Sequence, residues 1–100
     1  MAATRRTRCV LRIHFHLAEQ DAGEAVFARL LPLVEDITPR YQPHPPDTVD
    51  ADLTGALRYW APRGPYEIAS VLRLRALAHA GIASTAGVGP SRIQRVPGFS

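Results

Sequence analysis

Lysine is absent from this chain: all twelve basic residues are arginine, set against nine acids, for a formal net charge of +3. Cysteine occurs once, so no intramolecular disulfide can form. No apolar run is long enough to cross a bilayer, and no secretory h-region follows the opening "MAATRRTR". These absences exclude a disulfide-stapled scaffold and a membrane span, and they lead to the expectation of a cytoplasmic protein with no membrane partner. The chain is also short. Its 100 residues allow one domain, a layer of helices on a sheet, and little room for a deep catalytic cleft.

The charge that is present is unevenly placed. Arg5, Arg6, Arg8 and Arg12 crowd the start and Arg92 and Arg95 lie near the end, while Glu35, Asp36, Asp47, Asp50 and Asp52 hold the middle. Basic ends around an acidic middle suit a phosphate-bearing partner. Spread over a solvated surface, the same arginines need no partner. Residues 1–8 read as a basic tail and 9–100 as the folded domain.

In "RCVLRIHFHL", Cys9, Leu11, Ile13 and Phe15 alternate with Val10, Arg12, His14 and His16, the period of a strand with one apolar face. Cys9 belongs to the apolar set, which points to burial and not to a reactive thiol. Apolar residues at helical spacing predict a helix from Asp21 to Ile37, with Asp21 as its N-cap and Pro32 expected to kink or split it near Leu31. The proline content of "TPRYQPHPP" confines any strand there to a sheet edge and leaves His44 in a solvated loop. "DTVDADLTG" alternates again, with Val49, Ala51 and Leu53 opposite Asp50, Asp52 and Thr54.

"ALRYWAPRGPYE" reads as a connection, in which Tyr59 and Trp60 either stack on a base or close a loop over the core. "YEIASVLRLRALAHAG" predicts a helix with Pro65 in its first turn and Gly81 as its C-terminal cap. Its expected stripe is Ile68, Val71, Leu72, Arg75 and His79, flanked by Ala76 and Leu77, with Arg73, Arg75 and His79 along the edge. "IASTAGVG" is β-prone, and "PSRIQRVPGFS" starts like a helix that Pro97 and Gly98 break. The order βαββαβ predicts an α+β fold of ferredoxin-like type, an antiparallel sheet with two helices on one face.

The residues carry a resemblance. "DITPRYQPHPPDTVDADLTG" resembles the palm segment of Y-family translesion DNA polymerases of the DinB and UmuC type, which reads approximately F-T-P-x-V-E-x-x-S-I-D-E-A-Y-L-D-V-T-G. Thr38, Pro39, Asp47, Asp52, Thr54 and Gly55 stand in matching places. "GIASTAGVGPSRI" is similar to the family's G-L-x-x-S-V-G-I-A-P-N-K-x through Gly81, Gly87, Pro90 and Arg92, and "VLRIHFH" falls where the family has its first palm strand, I-x-x-V-D-M-D. The likeness runs from Val10 to Ile93 and implies a palm domain, a link to DNA repair, and DNA as partner.

The departures bear on chemistry. Such polymerases hold two Mg²⁺ ions with three carboxylates, which neutralise the attacking oxygen and the triphosphate in line. Carried over residue by residue, the strand-one Asp corresponds to His14, the second Asp is retained as Asp47, and the Glu after it corresponds to Thr48. Imidazole and hydroxyl are poor substitutes, because Mg²⁺ prefers charged oxygen ligands in octahedral geometry. The resemblance therefore implies a DNA-directed DNA polymerase ancestry without the catalysis, with Mg²⁺ relevant only if activity survives. It also implies missing parts: a few residues stand where the family inserts its fingers, and the palm is truncated at its C-terminal end, without thumb. Arg92 matches a Lys that faces the incoming triphosphate, making it the candidate phosphate-binding residue.

Other readings stay open. His14 and His16 on one strand face, with Asp47 approaching from a neighbouring strand, form a candidate Zn²⁺ or Mn²⁺ site, or a solvated polar face. A bare sheet face suits a protein partner or a second copy, so an interaction module stands as the alternative to a DNA-binding palm.

Overall fold

The computed structural model describes residues 8–18 and 24–90. The described elements are β1 (Cys9–Phe15), α1 (Glu24–Glu35), β2 (Tyr41–His44), β3 (Thr48–Asp52), α2 (Leu57–Trp60), α3 (Pro65–Ala80) and β4 (Ser84–Pro90). The strands form one sheet in the order β2-β3-β1-β4, with every neighbouring pair antiparallel. This is an α+β fold of ferredoxin-like type with one extra helical turn, α2. The alternation expected of β1 holds: Leu11, Ile13 and Phe15 are buried and Arg12 and His14 are exposed. Their inward row meets Val49, Ala51 and Leu53, and α1 and α3 close the core from the same side with Phe27, Leu30, Val34, Ile68, Leu72 and Ala76. Burial of that set drives the fold, at about 25 cal/mol for each Å² of apolar surface withdrawn from water. None of the described helices covers the opposite sheet face.

Pro32 neither splits nor ends α1, which runs through it to Glu35. Proline removes the hydrogen bond to the carbonyl of Ala28, and both residues lie on the exposed side of the helix, where water satisfies that oxygen. The apolar residues Phe27, Leu30 and Val34 hold the other side to the core. The N-cap expected at Asp21 lies outside the described residues.

β2 is the edge strand its prolines require. The bond from the Asp52 N–H to the Arg40 carbonyl sets the phase of the β2–β3 ladder. Counting along the register, Pro43, opposite Val49, has its nitrogen turned away from β3, so its missing N–H costs the ladder nothing. The stretch expected to be a plain connection instead contains α2, whose turn is closed by the Leu57 N–H on the Leu53 carbonyl and the Trp60 N–H on the Ala56 carbonyl.

α3 begins at Pro65, where the Glu67 carboxylate accepts from the Gly64 N–H at 2.9 Å. It ends at Gly81, whose φ of 69° places it in the left-handed region while its N–H bonds to Leu77 O and that of Ile82 to Ala76 O. Its buried face is Ile68, Ala69, Leu72 and Ala76: Ile68 and Leu72 of the expected stripe and its flanking Ala76 are buried and Val71 and Arg75 half-buried, as the spacing predicts, while Ala69 joins them and Leu77, 53% exposed, and His79 lie outside. Residues three and four apart share one helix face, so Ile68, Leu72 and Ala76 with Ala69 form the inward side, and Leu74 and Leu77 fall on the outer flank.

Candidate functional site on the open sheet face

The outward row of the two central strands forms the floor of the site. Strand register sets His14 opposite Thr48 and Arg12 opposite Asp50, while β2 adds His44 opposite Thr48 and β4 adds Gly87 opposite Arg12. The Phe15 N–H bonds to the Asp47 carbonyl at 2.8 Å, pinning the β2–β3 hairpin against the end of β1. Consequently His14, Asp47 and Thr48, far apart in the chain, meet in space: His14 Nε2 lies 3.0 Å from Asp47 Oδ2, and Thr48 Oγ1 donates to Asp47 Oδ1 at 3.0 Å. Burial pushes the Asp47 carboxyl up, but the hydrogen bonds from His14 and Thr48 and the imidazole's charge outweigh it and hold the group below its ordinary value.

The second cluster centres on Asp50. The Arg12 guanidinium grips its carboxylate with two bonds, Nε to Oδ1 at 2.7 Å and Nη2 to Oδ2 at 2.9 Å, and His44 Nε2 lies 3.0 Å from Oδ2. Burial again pushes up and these partners pull down further, leaving the Asp50 carboxyl below the usual range and the Arg12 guanidinium raised. His44 is therefore the last residue of a strand and a carboxylate partner, not the occupant of a solvated loop as its flanking prolines suggest. No signal in the sequence pairs it with Asp50, since the hairpin register decides that contact.

Asp52 completes the face with a structural role. Its Oδ1 accepts from the Thr54 N–H at 3.0 Å, and Thr54 Oγ1 accepts from the Cys9 N–H at 2.8 Å, tying the start of β1 to the turn after β3. Arg8 Nη1 reaches Asp52 at 3.9 Å. Thr38 plays a similar part at the same end of β3: it donates to the Asp52 carbonyl at 3.0 Å and accepts from the Arg40 N–H at 3.1 Å. Cys9 is partly buried, and burial, with Asp52 nearby, pushes its thiol up, away from a reactive thiolate.

Asp47, Asp50 and Asp52 are each engaged by a partner, and the set around Asp47 is one carboxylate, one imidazole and one hydroxyl. That donor set does not fit a pair of Mg²⁺ ions, which need several charged oxygens. His16 stands with its ring 5.0 Å from that of His14 and edge-on to it. Among the described residues no group of three or more His, Cys, Asp or Glu side chains is placed to hold a metal ion. Arg92 lies outside the described residues, as do Arg5, Arg6 and Arg95.

The aromatic pair separates. Trp60 packs against the core, with the Arg75 and Arg63 guanidinium groups 5.7 and 5.9 Å from its ring, whereas Tyr59 is 88% exposed. Arg75 also donates to Asp36 at 2.8 Å, joining α3 to the end of α1. Arg73 donates to the Ser84 carbonyl at 3.0 Å.

No family model, curated protein or solved structure matches the chain. No described helix is long and apolar enough to cross a membrane.

Proposed function

We propose that this chain is a Y-family-polymerase-like palm domain that has lost nucleotidyl transfer and acts in DNA repair or damage tolerance as a noncatalytic, DNA-binding domain. One observation carries the reading. The positions that the resemblance assigns to three metal-binding carboxylates, His14, Asp47 and Thr48, converge at one end of the open face, yet they form a closed hydrogen-bonded set with a single carboxylate. The retained motif residues support it too: Thr38, Asp52, Thr54 and Gly81 all hold backbone hydrogen bonds of the fold. A palm relieved of catalysis keeps what folds it and is free to lose what binds metal.

The test restores the lost ligands. The double variant His14→Asp, Thr48→Glu should bind Mn²⁺ more tightly than the natural chain, read by paramagnetic relaxation. Failure of the folded variant to bind would sever the link between these positions and a polymerase centre. Primer extension with Mg²⁺ by the natural chain, lost in Asp47→Ala, would overturn the noncatalytic part. DNA binding is tested separately by anisotropy of a labelled primer-template: it should weaken with salt and in Arg92→Ala.

A second reading, a protein-interaction module using the open face, rests on the charge balance there. Among the described residues Arg8, Arg12, His14 and His44 stand beside Asp52, Asp50 and Asp47, so with neutral imidazoles these side chains sum to no net positive charge. A folded chain that fails to bind DNA at low salt would favour it.

A further inference from the structure

The two edges of the sheet are unlike. β2 is four residues long, contains Pro43 and runs into Pro45 and Pro46, which blunts it against further pairing. β4, at the other edge, is seven residues long, carries no charge, and pairs with β1 from Cys9↔Pro90 to Phe15↔Ser84 without a bulge. The His16 N–H bonds to the Ala83 carbonyl and sets the phase of that ladder. Alternation then turns the N–H and C=O groups of Thr85, Gly87 and Gly89 toward β1, and those of Ser84, Ala86 and Val88, with the Pro90 carbonyl, to the free edge. Among the described residues no strand pairs with them.

We propose that this edge, with the adjoining flank of α3, is a self-association surface on which a second copy of the chain docks, β4 antiparallel to β4 about a two-fold axis at Gly87. The register follows from the free groups. Centred on Gly87, Ala86 of each copy faces Val88 of the other with both N–H and C=O turned inward, and Ser84 faces Pro90. The Ser84 N–H donates to the Pro90 carbonyl. Pro90 has no N–H to return, and the Ser84 carbonyl that would need it is already satisfied by Arg73. The edge is thus self-complementary down to its one missing donor. At the axis two glycines meet, so no side chains crowd the closest approach of the strands.

The helix above the edge matches. Arg73 reaches β4 and so marks the β4 side of α3, while Arg75, bonded to Asp36, marks the α1 side. Leu77, four residues after Arg73, and Tyr66, seven before it, share the Arg73 side, and Leu74 lies next to them. These three are 53%, 70% and 64% exposed. Antiparallel strands bring the two α3 helices side by side with opposite directions, and their apolar flanks cover one another. A strip about 23 Å long and roughly 20 Å high would be covered, on the order of 500 Å² per partner, below the ~800 Å² of a standard interface, so the dimer is a weak one. The strand itself carries no charge, and Arg73 on the adjoining flank is committed to the Ser84 carbonyl, so the hydrogen-bonding pattern of the edge, and not a charge, selects the partner, which favours another copy. The inference is independent of the palm reading.

Sedimentation equilibrium of the full chain from 1 to 200 µM (roughly, a range that brackets weak dimers) tests it. Weight-average mass should rise from 11.0 kDa toward twice that, and salt should not reverse the rise. Hydrogen exchange should show the Ala86 and Val88 amides gaining protection with concentration, while Thr85, Gly87 and Gly89 are protected throughout. A Cβ at Gly87 meets nothing within 4 Å in the monomer, so Gly87→Lys folds but sets two charges face to face at the axis and should weaken association tenfold or more. Leu77→Lys, on the exposed flank, is the second variant and should also weaken it. A chain monomeric throughout that range, a dimer indifferent to both variants, or a dimer dissolved by salt would overturn the proposal.

Discussion

Thr38 is 2% exposed, and its hydroxyl stands between two backbone groups, accepting from the Arg40 N–H at 3.1 Å and donating to the Asp52 carbonyl at 3.0 Å. In an ordinary ladder those two groups would bond directly, since the reciprocal bond, Asp52 N–H to Arg40 carbonyl, is present at 2.8 Å. The hydroxyl is therefore a relay inserted where β2 begins. Thr38→Val keeps the shape and deletes the relay, leaving one donor and one acceptor without partners. Each neutral bond contributes about 0.5–1.5 kcal/mol, and a buried group left unpaired costs about 1–3 kcal/mol, so a loss of roughly 2–4 kcal/mol is expected. With a urea m-value of about 1–3 kcal/mol/M for a small domain, the midpoint should fall by roughly 1–2 M, followed by Trp60 fluorescence and far-ultraviolet circular dichroism. Thr38→Ser retains the oxygen and should lose only about 1 kcal/mol from its missing methyl group. A Val variant within about 0.5 kcal/mol of the natural chain would mean that the strands close directly and the relay reasoning is wrong.

Two further outcomes follow from groups already described. Asp50 has its carboxyl held below the ordinary value near 3.9, so its contribution is fully present above about that pH and is lost as pH falls through the lower folded value. The stability difference between the natural chain and Arg12→Met should accordingly be widest at neutral pH and shrink below about pH 4; a gap that stays constant down to about pH 2.5 would count against the pairing. Ser84 Oγ is buried without a partner, so Ser84→Ala should stabilise the fold by up to about 1 kcal/mol, read as a raised melting temperature, and a lowered one would reveal a bond that this hydroxyl makes.

The legible part of this fold was its periodicity. Alternation in "VLRIHFH" and "TVDAD" and the prolines around Gln42 defined two central strands and an edge, because side-chain period and missing donors are local properties. What depended on register or close approach was hidden. The grip of Arg12 and His44 on Asp50 exists because three strands align, and no property of any one of them announces it. The core face of α3 was legible at Ile68, Leu72 and Ala76, and only its margins were misjudged, where Ala69 is buried and Leu77 and His79 are not. Of the candidate site, the approach of Asp47 to His14 was anticipated by the metal reading and by the resemblance, the part of Thr48 only by the resemblance, while His16 stands beside His14 without joining the contact and Arg92 lies outside the described residues.

The position of β1 has a consequence for how the chain is made. It is the first described strand, yet both of its neighbours come later, β3 after the helix and β2, and β4 at the far end of the described chain. During synthesis Leu11, Ile13 and Phe15 can find α1 early, but the strand keeps an open side until Ser84–Pro90 has left the ribosome. A nascent chain stalled before that point holds its most apolar strand half paired, the state in which chaperone capture or coaggregation competes with folding. Synthesis speed across the α3 and β4 codons should therefore govern yield more strongly than speed across the first half.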